Sequence, residues 1–531
     1  MKNTIRLIGI SAILSFVLQG CLSDLEVSPI DPNLVTAEKI YQSENDFFSG
    51  LSKLYANLAT TGQKGPAGDA DIASNDEGAN QYWRTYWIAQ ELPTDEAING
   101  WSDAGVPEMS QMTWTSDNYG IGALYYRIII QATYANEFIR QAREYGKPEY
   151  TNLPRYIAEA RFLRAMSYWH ALDLYGNGVP FVTESSPIGA VLPMPAGLGP
   201  VGNELFNYIE EELIAITNGS TNEELNEMGE GYIGAANKAA AYMLLAKLYL
   251  NHKIYLGTES NEYYNQARNY INTIINEGGY SLSNSYEHLF LADNHTQLNE
   301  IIFSIAQDGM TMKNYGGSTY LVNASIGGDA MVASDYGTSG GWGGNRVTKA
   351  LVNKFEATDT RAMWFTQGQT LEIDEQDQFT QGYACVKYKN ITQDGTAGSN
   401  LSEGFADTDI PVFRLADAYL MLCELDLRID GSLSAPALTY LTEIRDRGNL
   451  TTDGSVIDLA FILDERAREL YWEAHRRSDL RRFGLLTSAD YVWPFKGNDP
   501  NGIAVPDRYN WLPIPYADIT ANPNLKQNLD Y

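Results

Sequence analysis

The sequence predicts a mostly all-α protein in which tetratricopeptide-like helix pairs form a scaffold and a loop-rich irregular region carries a ligand site. Three observations predict it. Helical periodicity recurs in blocks at about 37–60, 123–176, 202–277 and 411–484. Two of the blocks contain helix pairs that place small residues where the partners would touch. Between the blocks lie stretches 62–122 and 280–400, loop-like and without sustained period, and irregular segments of that length in a compact protein are usually functional.

Met1 to Gly20 runs from a basic start (Lys2, Arg6) through an apolar stretch, Leu7 to Leu18, to a small-residue close. That is the layout of a secretory signal, too short to cross a membrane as a helix. Cys21 follows Leu18-Gln19-Gly20 directly, and the segment resembles a bacterial lipobox, in which Cys21 would be acylated and open a mature chain of 511 of the 531 residues. Residues 21–36 read as a lipidated tether and 37–531 as one domain. No later run reaches the roughly 18 apolar residues of a spanning helix. Attachment to the membrane is therefore expected from acyl chains, at about 0.8 kcal/mol per buried methylene.

Ala37–Leu58 reads as a helix with Ile40, Phe47, Leu51, Leu54 and Leu58 near one face. Ala123–Tyr145 and Leu153–Tyr175 follow, the second stopped by Gly176-Asn177-Gly178-Val179-Pro180. Ala236–His252 and Glu262–Glu277 form the clearest pair, with Ala246 in the first helix and Ala267, between Tyr263 and Tyr270, in the second. Pro411–Arg428 with Ala435–Arg447 is a second pair, and Asp464–Phe483 is a long helix rich in arginine. Glu300–Ile305 and Ala384–Tyr388 are strand-sized apolar pieces.

The net charge of −30, or −32 without Lys2 and Arg6, repels nucleic acid and anionic headgroups and suits a neutral or cationic ligand. Cys385 and Cys423 are too few for a disulfide framework and read as buried thiols, although the compartment permits a bond between them. Thirty-five tyrosines and ten tryptophans supply flat apolar faces with polar edges, the complement of a sugar ring, although helical repeats use many tyrosines structurally. Catalytic signatures are poor. Gly337-Thr338-Ser339-Gly340-Gly341 lacks the strand and helix of a nucleophile elbow, and Gly229-Glu230-Gly231-Tyr232-Ile233-Gly234 sits among Glu224, Glu227 and Glu230, which is wrong for pyrophosphate. The five histidines have no metal-ligand spacing, and His170 and His475 read as core or capping residues. Glu91-Leu92-Pro93-Thr94-Asp95-Glu96 is the nearest approach to a glycosidase acid pair, against its reading as a turn that shapes the tryptophan loop. A structural calcium is conceivable among so many carboxylates, but no loop has EF-hand-like spacing, and no cofactor is expected.

Three blocks carry a family resemblance: Ala158-Glu159-Ala160-Arg161-Phe162-Leu163-Arg164-Ala165 with Tyr168, Leu172 and Leu174-Tyr175-Gly176; Glu465-Arg466-Ala467-Arg468-Glu469-Leu470 through Arg481-Arg482-Phe483-Gly484; and the tail from Leu512-Pro513-Ile514-Pro515 to Tyr531. In order, and with the lipobox, they resemble the SusD/RagB family over essentially the whole chain. The resemblance implies a non-catalytic, lipid-anchored surface protein of the outer membrane that binds glycans and covers a TonB-dependent transporter as a lid. Thr94-Asp95-Glu96-Ala97-Ile98, Trp101-Ser102-Asp103, Pro107-Glu108 and Trp114-Thr115 look most like the starch-binding branch. By that likeness Trp101 stacks on glucose, Arg84 donates to hydroxyls, Asp103 lies in the same loop, and Trp342 is a second platform with Tyr315 or Tyr320 completing an arc. Trp83, Trp87 and Trp114 read as loop-core residues. Starch or maltooligosaccharide is the expected ligand, a fructan or host glycan the alternative, and a purely structural lid a third reading.

Overall fold

The computed structural model describes residues 36–66, 68–72, 78–189, 199–452 and 456–531. The signal segment, Cys21 and tether residues 21–35 lie outside them. The helices that build the scaffold are α1 (Glu44–Ala59), α2 (Tyr82–Glu91), α3 (Val106–Gln111), α4 (Tyr119–Tyr145), α5 (Leu153–Leu174), α6 (Glu204–Ala215), α7 (Lys238–Leu250) and α8 (Asn261–Glu277). They continue as α9 (Gly317–Asn323), α10 (Leu415–Asp430), α11 (Ala435–Arg447), α12 (Leu459–Leu470) and α13 (Arg476–Arg482). Short antiparallel ribbons stitch the irregular regions together, chiefly β1 (Ala97–Asn99) with β3 (Asn345–Val347) and β2 (Ile301–Ile305) with β4 (Ile410–Arg414).

Neighbours in sequence pack as neighbours in space. α4 lies on α5 and α5 on α6; α7 lies on α8, α8 on α10, and α10 on both α11 and α12. The approach of α7 to α8 follows from the alanines: Ala246 and Ala267 are fully buried, and Tyr249 stacks between Tyr263 and Tyr270 with ring centroids 5.6 and 6.1 Å away. Asn237 caps α7 by accepting from the amides of Ala239 and Ala240. One apolar core runs from Phe47 to Leu525. Cys385 and Cys423 are buried free thiols, and burial pushes the Cys385 thiol up to about 12.

The expected elements are revised at four places, each for a local reason. The first helix breaks after Ile40, because Ser43 and Asp46 form a capping box that starts α1 afresh and leaves Ile40 exposed. Region 62–122 contains the ten-residue α2, capped by the Gln81 side chain. Residues 410–414 extend as β4 because β2 offers them a ladder. The arginine-rich helix is interrupted between Leu470 and Arg476, where Trp472 and Ala474 adopt positive φ (66° and 63°). The amides of that turn are taken by carboxylates from the tryptophan loop: Ala474 donates to Glu91 at 2.6 Å and Trp472 to Glu96 at 3.3 Å.

Most arginines of α12, α13 and their neighbours are buried in networks of ion pairs. Arg414, at the end of β4, reaches Glu300 (3.0 Å), Glu469 (2.6 Å) and Glu473 (2.7 Å) at once. Arg361 joins Asp359, Glu465 and Glu469, Arg466 joins Asp417 and Asp479, and Arg482 joins Glu424 and Asp479. Burial pushes the Glu469 carboxyl up, but the guanidinium groups of Arg447, Arg414 and Arg361 outweigh it and hold it near about 2. Arg482 does the same for Glu424, also about 2.

Truncating one partner of a buried ion pair strands the other charges, so Arg414→Ala is expected to cost on the order of 3–5 kcal/mol in urea unfolding. The networks also set the acid limit. Glu469 and Glu424 have folded pKa values below an unfolded value of about 4, so their stabilisation is complete above about pH 5 and is lost as pH falls from about 4 toward 2. A melting temperature measured from pH 7 to pH 2 is expected to fall steeply in that window.

Candidate functional site

Two loops distant in sequence are brought together by a three-residue ladder. β1 pairs with β3 in the register Ala97 to Val347, Ile98 to Arg346 and Asn99 to Asn345. Trp101 lies two residues beyond the ladder on one side and Trp342 three residues before it on the other, so the register makes them neighbours. Their ring centroids stand 6.4 Å apart at 46°, and the Trp101 indole N–H donates to the Trp342 carbonyl at 3.1 Å. Trp342 in turn meets Tyr315 at 6.0 Å and 67°, and Tyr315 rests on Phe405 at 5.7 Å.

The glycines around Trp342 explain how the rings come so close. The amides of Trp342, Gly343 and Gly344 bond to carbonyls at 323, 326 and 324 at the end of α9, at 2.7–2.8 Å. A Cβ on Gly344 would stand about 2.5 Å from the Trp101 indole. Gly343 has φ +59°, which glycine adopts without strain.

Arg84 closes the arc from α2. Its guanidinium lies 4.6 Å from the Tyr320 ring and 5.5 Å from the Trp101 ring, and Nη1 donates to the Tyr315 carbonyl at 2.9 Å. Gln81 sets its place: one side-chain oxygen accepts from the amides of Arg84 (2.7 Å) and Gly317 (3.1 Å), while its nitrogen donates to the Leu58 carbonyl. Arg84, Trp101, Asp103, Trp342 and Tyr119 line a cleft of about 510 Å³, within the usual range for a small-ligand site.

Beneath the cleft the support is polar and buried. Arg346 donates to the carbonyls of Gly344 (2.9 Å), Gln376 (2.6 Å) and Gln381 (2.9 Å). Asn99 and Asn345 bond to each other at 2.7 Å, and Asn345 also receives the Tyr320 hydroxyl. Asp95 grips Arg476 with both oxygens at 2.7 Å. Burial raises its carboxyl, but Arg476 and Lys354 more than reverse this, to about 2. Glu96, buried beside it, is pushed up to about 7. Glu91, Asp95 and Glu96 are wholly buried, so this acidic stretch is the turn that secures the tryptophan loop and offers no acid pair to a glycosidic bond. His170 is likewise a core residue, bonded to the Tyr82 hydroxyl at 2.9 Å and held neutral because burial lowers it to about 3.

The structure brings Trp101, Arg84, Asp103, Trp342 and Tyr315 to one rim, with Asp103 and Tyr315 exposed. Tyr320 is separated from the rim: it is 1% exposed and lies under Arg84 as its support. Trp83, Trp87 and Trp114 are buried. Sequence reading did not find Phe405, Tyr119, Gln81, Arg346 or the Asn99–Asn345 pair. Only the Gly343-Gly344 doublet beside Trp342 carried a readable signal, a close backbone approach. Gly344→Ala is expected to push the Trp101 indole outward, altering its fluorescence and lowering ligand affinity about tenfold while the melting temperature changes little, since the affected rim is partly exposed.

Residues 360–531 match the SusD family profile. Over 98% of its length the chain is 34% identical to the starch-binding protein SusD of Bacteroides thetaiotaomicron, covering 97% of that protein. It is 25% identical to SusD-like protein P25 of Formosa agariphila, with 97% of each chain covered. Among solved structures, the surface glycan-binding protein A of Bacteroides thetaiotaomicron in complex with laminarihexaose superimposes with a TM-score of 0.70 at 19% identity, covering 91% of this chain and 99% of that one. The corresponding protein of Bacteroides fluxus gives 0.70 at 21% identity, over 92% and 100%. With the helical scaffold shared and an end-to-end relative at 34% identity, the chain belongs to the SusD family of non-catalytic glycan-binding proteins.

Proposed function

We propose that the chain captures starch and maltooligosaccharides at the cell surface and delivers them to a TonB-dependent outer-membrane transporter, held to the membrane by acyl chains on Cys21. The observation that carries the ligand is the turn of the arc: from Trp101 to Trp342 the ring plane rotates by 46°, and from Trp342 to Tyr315 by 67°. A coiled α-glucan presents successive sugar faces in different planes, whereas a flat chain presents one plane and would meet one ring at a time. The end-to-end likeness to a protein named for starch binding supports the same ligand. The anchor reading rests on the lipobox, and no helix among the described residues is long and apolar enough to cross a membrane.

Binding here is stacking plus hydrogen bonds and involves no bond-making. Aromatic faces take the C–H faces of glucose, Arg84 donates to hydroxyls and Asp103 accepts from them. We propose that no metal takes part, since Asp103 is the single carboxylate among the described residues that line the cleft. Stacking of a base on an aromatic ring is worth about 1–3 kcal/mol, and on that scale a few sugar contacts give micromolar to millimolar affinity.

Isothermal titration of the protein without its signal and Cys21 tests the proposal, with maltoheptaose, laminarihexaose, inulin and xylan in parallel. Maltoheptaose is expected to bind, in EDTA as well as without it, and Trp101→Ala is expected to weaken it at least tenfold. Heat from laminarihexaose, inulin or xylan with silence from maltoheptaose would discard the starch assignment.

A further inference from the structure

The cleft beside Trp101 is open toward α4. Tyr119, the first residue of α4, lines both that cleft and a second hollow of about 210 Å³, walled by Tyr126 and Tyr516 and rimmed by Ser116, Asp117 and Asn118. Tyr119 and Tyr126 are seven residues apart, so they share one face of α4 about 10 Å from each other along its axis. Gly122 and Ala123 lie between them and floor the hollow with nothing taller than a methyl group. A Cβ on Gly122 would meet nothing within 4 Å. Packing therefore makes no demand for glycine there, although alanine would favour the helix by roughly 0.5–1 kcal/mol.

The tail of the chain supplies the opposite wall. The Tyr516 amide donates to the Ser116 carbonyl at 3.2 Å, while its ring is 60% exposed. Asn118 joins the two hollows. Its side-chain nitrogen donates to the Gly105 carbonyl on the tryptophan loop at 3.0 Å, and its oxygen accepts from the Ile121 amide in α4 at 3.2 Å. The first cleft and the second hollow thus share a wall residue and a polar hinge that holds them at one spacing.

We propose that the hollow on α4 is an outer subsite that takes further sugar residues of the same oligosaccharide chain that Trp101 and Trp342 hold, an inference that rests on the glucan reading above. The chemistry is that of the first cleft: phenol faces for C–H faces, a bare floor that admits a ring, and hydroxyl, carboxylate and amide groups at the rim. Among the described residues no lysine or arginine lines it, which suits a neutral sugar and not an acidic one. A chain already held at Trp101 presents its next residues here at high effective concentration, so weak contacts in the hollow raise the affinity of long chains selectively.

Calorimetry with maltotriose and maltodecaose on the wild type and three variants decides the matter. Tyr516→Ala removes an exposed wall, and Gly122→Leu fills the floor while improving helix propensity, so neither is expected to lower the melting temperature. Both are expected to reduce the ratio of maltodecaose to maltotriose affinity about fivefold, leaving maltotriose unchanged. Trp101→Ala is expected to weaken both sugars. If Trp101→Ala weakens both sugars but Tyr516→Ala and Gly122→Leu leave the ratio at its wild-type value, the outer subsite is overturned and the glucan reading stands. If neither sugar binds the wild type, the glucan reading falls and the subsite with it.

Discussion

The grip of Arg476 on Asp95 is the contact through which the helical scaffold positions everything at the cleft. Arg476 opens α13 and is buried, and Asp95 stands two residues before β1. Much of the Coulomb gain of such a buried pair is offset by desolvation. Its value is therefore mainly geometric: a bidentate guanidinium accepts a carboxylate in one plane and at one distance. Glu91 and Glu96 extend the same grip to the amides of the strained turn at Trp472 and Ala474. The ladder, the glycines and the two tryptophans inherit their coordinates from this junction.

This division of labour accounts for what the amino-acid order reveals. The α4, α5, α7 and α8 helices are legible because their periodicity, caps and stop signals are local, and the Ala246–Ala267 contact can be inferred from residue size alone. The break between α12 and α13 is not legible, since its cause is a set of carboxylates almost four hundred residues upstream. The same holds for β4, a strand only because β2 lies beside it. Trp101, Arg84, Asp103 and Trp342 were reached through family resemblance, whereas the role of Tyr320 depends on whether Arg84 covers it, a matter of packing with no trace in spacing. Tyr119 and Tyr126 show the opposite case: their seven-residue interval is readable, but only the tail folding back with Tyr516 makes a hollow of it.

The acidic character of the chain also takes on a spatial meaning. Its arginines are withdrawn into the interior to neutralise carboxylates there, as Arg361, Arg414 and Arg466 illustrate at nearly zero exposure. The surface is left correspondingly negative, while the described residues that line the cleft offer aromatic faces, one arginine and one aspartate. An uncharged polymer can approach such a surface without electrostatic penalty, whereas sulfated or phosphorylated chains are turned away at a distance.

The bond from the Trp101 indole to the Trp342 carbonyl has a consequence for selectivity. With its N–H committed inside the protein, Trp101 can offer a sugar only its face. A face senses whether a ring is flat and apolar on one side, and it is blind to whether a hydroxyl at the rim points up or down. Telling epimers apart falls to Arg84 and Asp103, so the two questions, whether a sugar is present and which sugar it is, are answered by different residues that can change independently of each other.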